Sequence, residues 1–136
     1  MITYKEMKAI TPSDLNDLYN SVQWFAYTRD LNGLEQAIRQ SLCVITAWDE
    51  QKLVGLVRIV GDGLTIIYIQ DLLVQPNYQN QKIGTTLMTT VLNRYKQVRQ
   101  RVLLTDDAPD VRKFYEKNGF ISADQGNTVA FYNFSQ

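Results

Sequence analysis

The sequence predicts a mixed α/β fold, a central, mostly antiparallel and bent sheet flanked by about four helices. Three observations predict it. Between Leu42 and Val74 three β-rich runs follow one another, separated by short turn signals. From Ile83 to Tyr95 apolar residues recur at helical spacing. Beyond that, a short apolar strand, a helix and further strands alternate, as in βαβ-type units.

The elements follow in order. Ile2 to Met7 alternates weakly and reads as an opening strand. Thr11-Pro12-Ser13-Asp14 starts a helix, with Ser13 or Thr11 as cap and Leu15, Leu18 and Tyr19 as its apolar stripe. Leu31, Leu34, Ala37 and Ile38 share one face of a second helix, and an aromatic loop, Trp24-Phe25-Ala26-Tyr27, lies between the two. Leu42 to Trp48 is a strand ending at Asp49-Glu50-Gln51. Leu53 to Val60 is the next, closed by Gly61-Asp62-Gly63, where glycine's access to positive φ suits a hairpin. Leu64 to Val74 is long for a strand, so a bend or bulge is expected within it, and Pro76 stops it. Ile83, Leu87, Met88, Val91, Leu92 and Tyr95 mark an amphipathic helix, and Arg101 to Thr105 a short strand. From about Pro109 a helix turns Val111, Phe114 and Tyr115 inward and ends at Asn118-Gly119. Phe120-Ile121 and Val129 to Phe134 are expected as the last strands.

At 136 residues the chain is expected to form a single domain, residues 1–136. No run approaches the ~18 consecutive apolar residues of a membrane span, and MITYKEMKAI does not read as a secretory signal. The one cysteine, Cys43, cannot close an intramolecular disulfide and reads as a buried small apolar residue, so the cytoplasm is the expected location. With 14 basic and 14 acidic residues the net charge is +0, and no broad basic field invites nucleic acid. Membrane partners are likewise not expected. The chain has 0 histidines, which removes Ser-His-Asp and Cys-His chemistry and most catalytic zinc sites, so no metal is expected.

The informative stretch is Asp71 to Met88. A strand runs into a short polar turn that opens directly into a helix, exposing N–H groups at the positive end of the helix dipole, where a phosphate or pyrophosphate is welcome. Gly84 would let a ligand approach the backbone closely, and Lys82 adds a mobile cation. Neither G-x-x-x-x-G-K-[ST] nor G-x-G-x-x-G with a following acidic residue is present. Taken alone, the glycine also fits a tight turn that needs a small residue for packing.

The run Tyr78-Gln79-Asn80-Gln81-Lys82-Ile83-Gly84-Thr85-Thr86-Leu87-Met88 resembles the acetyl-CoA pyrophosphate loop of GNAT-superfamily N-acetyltransferases, commonly Q/R-x-x-G-x-G/A followed by a helix. Phe114-Tyr115-Glu116-Lys117-Asn118-Gly119-Phe120 resembles their second signature, F-Y-x-x-x-G-F. The two lie in the family's order and at about its separation, and the element order is similar over nearly the whole chain. Two positions depart. Lys82 occupies the first glycine position, and Ala108 stands where the family often has asparagine; Asn80, at another frequent glycine position, tolerates the left-handed conformation.

The resemblance implies the GNAT acyl-CoA N-acyltransferase fold and acetyl-CoA as co-substrate. Leu72, Leu73 and Val74 would offer backbone groups to the pantetheine arm, and Gln79, Asn80, Gln81, Lys82, Ile83, Gly84 and Thr85 would wrap the pyrophosphate. The implied reaction is direct attack of a primary amine, of a small molecule, on the thioester within a ternary complex. A backbone N–H near Leu73 would stabilise the oxyanion. Tyr115 would protonate the departing thiolate, or else be a core tyrosine with a hydrogen-bonded hydroxyl.

Asp71 stands out from the residues alone, as a carboxylate inside an apolar strand. It either binds the amine and accepts its proton, directly or through water, or faces solvent or pairs with Arg58. Trp24, Phe25, Tyr27 and Tyr68 either line an acceptor pocket or fill the core. Ser21-Val22-Gln23-Trp24, with the Asp71 strand, faintly resembles plastid-type arylamine and serotonin acetyltransferases, which implies a small aromatic or aliphatic amine. A homodimer joined through the Val129 to Phe134 strand is expected. Two other readings remain: a non-catalytic acyl-CoA-binding module, and a transferase acting on protein N-termini or lysines.

Overall fold

The computed structural model describes residues 1–135. They form two compact units, one from Met1 to Leu104 and one from Thr105 onward.

The first unit contains β1 (Ile2–Glu6), α1 (Pro12–Ser21), α2 (Phe25–Thr28), α3 (Leu31–Arg39), β2 (Cys43–Asp49), β3 (Lys52–Gly61), β4 (Ile66–Val74), α4 (Ile83–Arg94) and β5 (Gln100–Val102). The sheet order is β1-β2-β3-β4-β5. The first four strands pair antiparallel, and β5 joins β4 in parallel over Ile66–Tyr68. Strands β2 and β3 read as nearly continuous apolar runs because both of their faces are covered.

One face is packed by α1 to α3. Leu15, Leu18, Tyr19, Leu34 and Ile38 meet Val44, Trp48, Leu53, Leu56 and Leu73. Helix α1 starts where the capping chemistry places it: Thr11 Oγ1 accepts from the Asp14 N–H at 3.2 Å, and Pro12 opens the first turn. Asp30 caps α3 in the same way, through the Gly33 N–H at 3.0 Å. The opposite face carries α4, which buries Ile83, Leu87, Met88 and Val91. Gly55 permits this approach, since a Cβ there would lie 3.0 Å from Ile83 Cγ2 and 3.3 Å from Ala47 Cβ.

The irregularity expected in the third run is a bulge. Arg58 pairs with Asp71 and Ile59 with Ile69, so Gln70 is an extra residue on β4. Other boundaries move. The aromatic loop contains the short helix α2. Strand β4 begins at Ile66 rather than Leu64, because the Asp62 carboxylate ties up the N–H groups of Leu64, Thr65 and Ile66 at 2.8, 2.8 and 3.1 Å. Strand β5 ends at Val102 rather than reaching Thr105.

In the second unit α5 (Pro109–Lys117) ends at Asn118-Gly119 as the sequence indicates, Gly119 having φ +92°. Phe114 and Phe120 flank Tyr115 edge-on at ring-centroid distances of 5.0 and 5.8 Å. Arg112 holds Asp107 at 2.7 Å and Asp124 at 3.1 Å. The two final strands are not formed. Phe120 folds back instead, its N–H donating to the Tyr115 carbonyl at 3.0 Å. Val129 to Phe134 makes no ladder within this unit, and a strand exists only through its partner. Its side chains lie exposed, Phe131 at 92%.

Candidate active site

Strand β4 carries the chemistry. Its parallel contact with β5 covers just Ile66–Tyr68, so the ladder stops before Ile69. Further along, Gln75 N–H donates to the Val54 carbonyl at 2.8 Å, which turns the Gln75 backbone toward β3. Backbone direction alternates along a strand, so the groups of Val74 and Leu72 point to the open edge. The Val74 carbonyl there accepts from Gln79 Nε2 at 3.2 Å. Among the described residues, the sheet ladders leave the other backbone groups of this edge to an extended ligand arm.

Asp71 lies under the helices of the first face, 2% exposed. A buried carboxylate persists only if its charge and lone pairs are met. Here Arg58 Nε, itself on a residue 6% exposed, donates to Oδ2 at 2.8 Å. Tyr19 Oη donates to the same oxygen at 2.9 Å, and Tyr27 Oη donates to Oδ1 at 2.6 Å. Of the readings the sequence left open, the pairing with Arg58 is the arrangement found. Tyr27 Oη in turn accepts from Arg58 Nη2 at 3.3 Å and from Gln70 Nε2 at 3.0 Å, which fills the hydroxyl's capacity of one donor and two acceptors.

The electrostatics follow from burial and charge. Burial, then the Asp71 carboxylate, push the Tyr19 phenol well above its ordinary range and raise that of Tyr27. At Arg58 burial is the largest single effect and pulls downward, but the charge of Asp71, its hydrogen bond and the two tyrosines together outweigh it, and the guanidinium stays charged. At neutral pH the cluster is an ion pair bracketed by two neutral phenols.

The loop after β4 is built differently. A short 3₁₀ turn, Pro76–Tyr78, follows Gln75, and Tyr78 Oη donates to Asp49 at 2.5 Å, which straps the loop to the β2–β3 hairpin. Asn80 and Lys82 both take positive φ, +72° and +63°. Lys82 is the cap of α4 and supplies no side-chain cap bond. The first helical bond runs from Thr86 N–H to the Lys82 carbonyl at 3.0 Å, so the N–H groups of Ile83, Gly84 and Thr85 have no acceptor within the helix. Gln79, Gln81, Lys82 and Thr85 are exposed around them. Unclaimed N–H groups at the positive end of a 12-residue helix, beside an ammonium, fit a pyrophosphate. The donor set therefore suits acetyl-CoA.

The other sequence-indicated residues fall as follows. Trp24 and Tyr27 are half-buried and meet Tyr19 edge-on, at ring-centroid distances of 6.0 and 5.1 Å. Tyr68 pairs with Val60, and by alternation shares the face of Gln70. Burial, with the Asp71 charge adding to it, raises the Tyr68 phenol. Tyr115 belongs to the second unit, where burial raises its phenol and a bond with Thr105 lowers it. Sequence reasoning passed over Gln70. Its signal was its adjacency to Asp71 at an expected bulge. Among the described residues no group of three His, Cys, Asp or Glu could hold a metal, and no helix is long and apolar enough to cross a membrane.

Comparison with known proteins agrees with this geometry. The family model for the acetyltransferase (GNAT) domain matches residues 13–134. A ycf52-like N-acetyltransferase from Prochlorococcus marinus, itself uncharacterised, is 29% identical over 134 residues, 95% of this chain and 73% of the relative. A GNAT family acetyltransferase from Streptococcus pneumoniae superposes with a TM-score of 0.86 at 34% identity, over 100% of both chains. The PaiA N-acetyltransferase of Thermoplasma acidophilum, solved in complex with coenzyme A, shares the fold at 18% identity and a TM-score of 0.73, over 89% of this chain and 90% of that one. The open β4 edge, the left-handed loop into α4 and these likenesses converge: this chain belongs to the GNAT family and is an N-acetyltransferase.

Proposed function

We infer that the protein transfers an acetyl group from acetyl-CoA to the primary amine of a small molecule, by direct attack within a ternary complex. The observation that carries this reading is the continuity of the open edge at Leu72–Val74 with the N–H-lined loop Gln79–Thr85. One suits a pantetheine arm and the other its pyrophosphate. Acetyl-CoA, when bound, supplies the thioester that the amine attacks.

The edge-facing backbone groups of Leu72 and Val74, on either side of Leu73, orient the thioester, and an N–H of this pair receives the developing oxyanion. Trp24, Tyr27 and Tyr68 form the acceptor side. As the new C–N bond forms and C–S breaks, the nitrogen becomes acidic. Its proton passes to the Tyr27 oxygen, displacing the long 3.3 Å contact from Arg58 Nη2, while Tyr27's own hydrogen, already directed at Oδ1, moves to Asp71. Tyr115, by its place in the Phe114–Phe120 motif, returns a proton to the thiolate. Residues 1–136 act as one functional domain, and the exposed apolar run Val129–Phe134 joins two copies. With one buried cysteine and balanced charge, the protein works in the cytoplasm without nucleic acid, membrane or metal partners.

Calorimetric titration with acetyl-CoA, alongside a free-thiol assay over a panel of small amines, tests the activity. Binding with amine-dependent CoA release is expected. Binding without release for any amine would overturn the small-molecule reading. Light scattering should return twice the chain mass, and the chain mass for a variant with Phe131→Asp and Phe134→Asp.

A further inference from the structure

We propose that Gln70 is the residue that grips the acceptor amine, and that it selects the amine in its uncharged form. This rests on the transferase reading above and names the acceptor chemistry of the same site. The bulge places Gln70 and Asp71 on one face, where strand alternation would have sent them to opposite faces. Gln70 Nε2 is fixed by its bond to Tyr27 Oη at 3.0 Å, while its side chain stays exposed beside the open edge of β4. An amide has one donor end and one acceptor end. With the donor end held, Oε1 is presented as an acceptor to whatever approaches the bulge.

The charge around it decides which form of amine is held. The one carboxylate on β4, Asp71, already receives Arg58 Nε, Tyr19 Oη and Tyr27 Oη. Arg58 balances it charge for charge, so the pair leaves no net negative charge to attract an arriving ammonium. A neutral amide oxygen therefore meets the nitrogen, and a neutral amine can both donate an N–H to it and attack with its lone pair. An ammonium has no lone pair to attack with and finds no uncompensated anion. The acceptor class is a weakly basic amine, one with a large uncharged fraction at neutral pH, such as an aromatic amine.

The test uses the full chain, acetyl-CoA and two probes of similar shape, 4-methylaniline and benzylamine. In the native protein kcat/KM for 4-methylaniline should be flat from pH 6 to 9, while that for benzylamine should rise about tenfold per pH unit toward the amine's own pKa. Gln70→Ala should lower kcat/KM for 4-methylaniline by about 3–10-fold, the loss of one hydrogen bond to the acceptor amine, with an unchanged melting temperature. Gln70→Glu should shift the preference at least tenfold toward benzylamine, because it adds an unpaired anion. A flat benzylamine profile in the native protein, or turnover and preference unmoved by both substitutions, would overturn the role of Gln70 alone. Acetyl-CoA binding with no turnover of any amine would overturn the transferase reading and this inference with it.

Discussion

Gln70 and Asp71 are neighbours on one strand, yet both hydrogen-bond a single hydroxyl, that of Tyr27, at 3.0 and 2.6 Å. In a regular strand consecutive side chains leave opposite faces. The extra residue in β4 brings both to the same side, and α2 supplies the hydroxyl that joins them.

Removing that hydroxyl should therefore cost more than one contact. Tyr27→Phe takes a donor from Asp71 and an acceptor from Arg58 and Gln70. Turnover should fall about 10–100-fold, mostly in kcat, with acetyl-CoA affinity unchanged. Steady-state kinetics with calorimetry checks it.

The buried ion pair makes an asymmetric stability prediction. Asp71→Ala leaves the Arg58 guanidinium uncompensated and should destabilise by about 3–5 kcal/mol. Arg58→Met in the Asp71→Ala background should restore much of that. Urea unfolding of the two single variants and the double variant measures the coupling.

The phenols set an alkaline limit. Tyr19 and Tyr27 have folded pKa values raised by burial and by Asp71, so the unfolded chain ionises first. Their contribution is fully present below about pH 10, the unfolded tyrosine value, and is lost as pH rises through the folded values. Melting temperature should hold to about pH 9 and then fall. Tyr19→Phe with Tyr27→Phe should flatten that fall, although the variant starts less stable.

Gly55 sets the spacing between sheet and α4. In Gly55→Val the new side chain meets Ile83 Cγ2, whose distance from a Cβ is already 3.0 Å, and Ala47 Cβ at 3.3 Å. Destabilisation of about 1–3 kcal/mol is expected from overpacking. Because Ile83 opens α4, acetyl-CoA affinity should also fall, which titration would show.

Lys82 contributes a charge and a strained backbone, and two substitutions separate them. Lys82→Gly relieves a left-handed conformation that costs a non-glycine residue about 1–2 kcal/mol, so it should raise the melting temperature. Lys82→Ala keeps the strain and loses the ammonium. Both should weaken acetyl-CoA binding and its dependence on salt, with Lys82→Ala the weaker binder.

Most of the sheet was legible because its strands announce themselves. Leu42–Trp48 and Leu53–Val60 are apolar runs ending in recognisable turns, and Pro76 marks where β4 must stop. The cofactor loop was legible from its strand–turn–helix chemistry and motif. The partners of Asp71 were not, because Tyr19 lies 52 residues away and Tyr27 44 residues away, and helix packing brings them together. Val129–Phe134 misled for a related reason. Its apolar alternation has the composition of a strand, but composition cannot supply the neighbour that a strand pairs with.

The single inserted residue in β4 also gives the strand two reading frames. Upstream of it, through Ile69, the odd-numbered positions belong to α4; from Asp71 onward they belong to α1 to α3. Closing the bulge with Gln70 retained opposite Arg58 would restore one parity throughout and turn Asp71 and Leu73 toward α4, while Leu72 and Val74 took their places. The chain would remain an acceptable β-strand by every local criterion. A buried charge would then sit against the aliphatic side of α4, so a single step of register governs this site more tightly than the identity of most side chains around it.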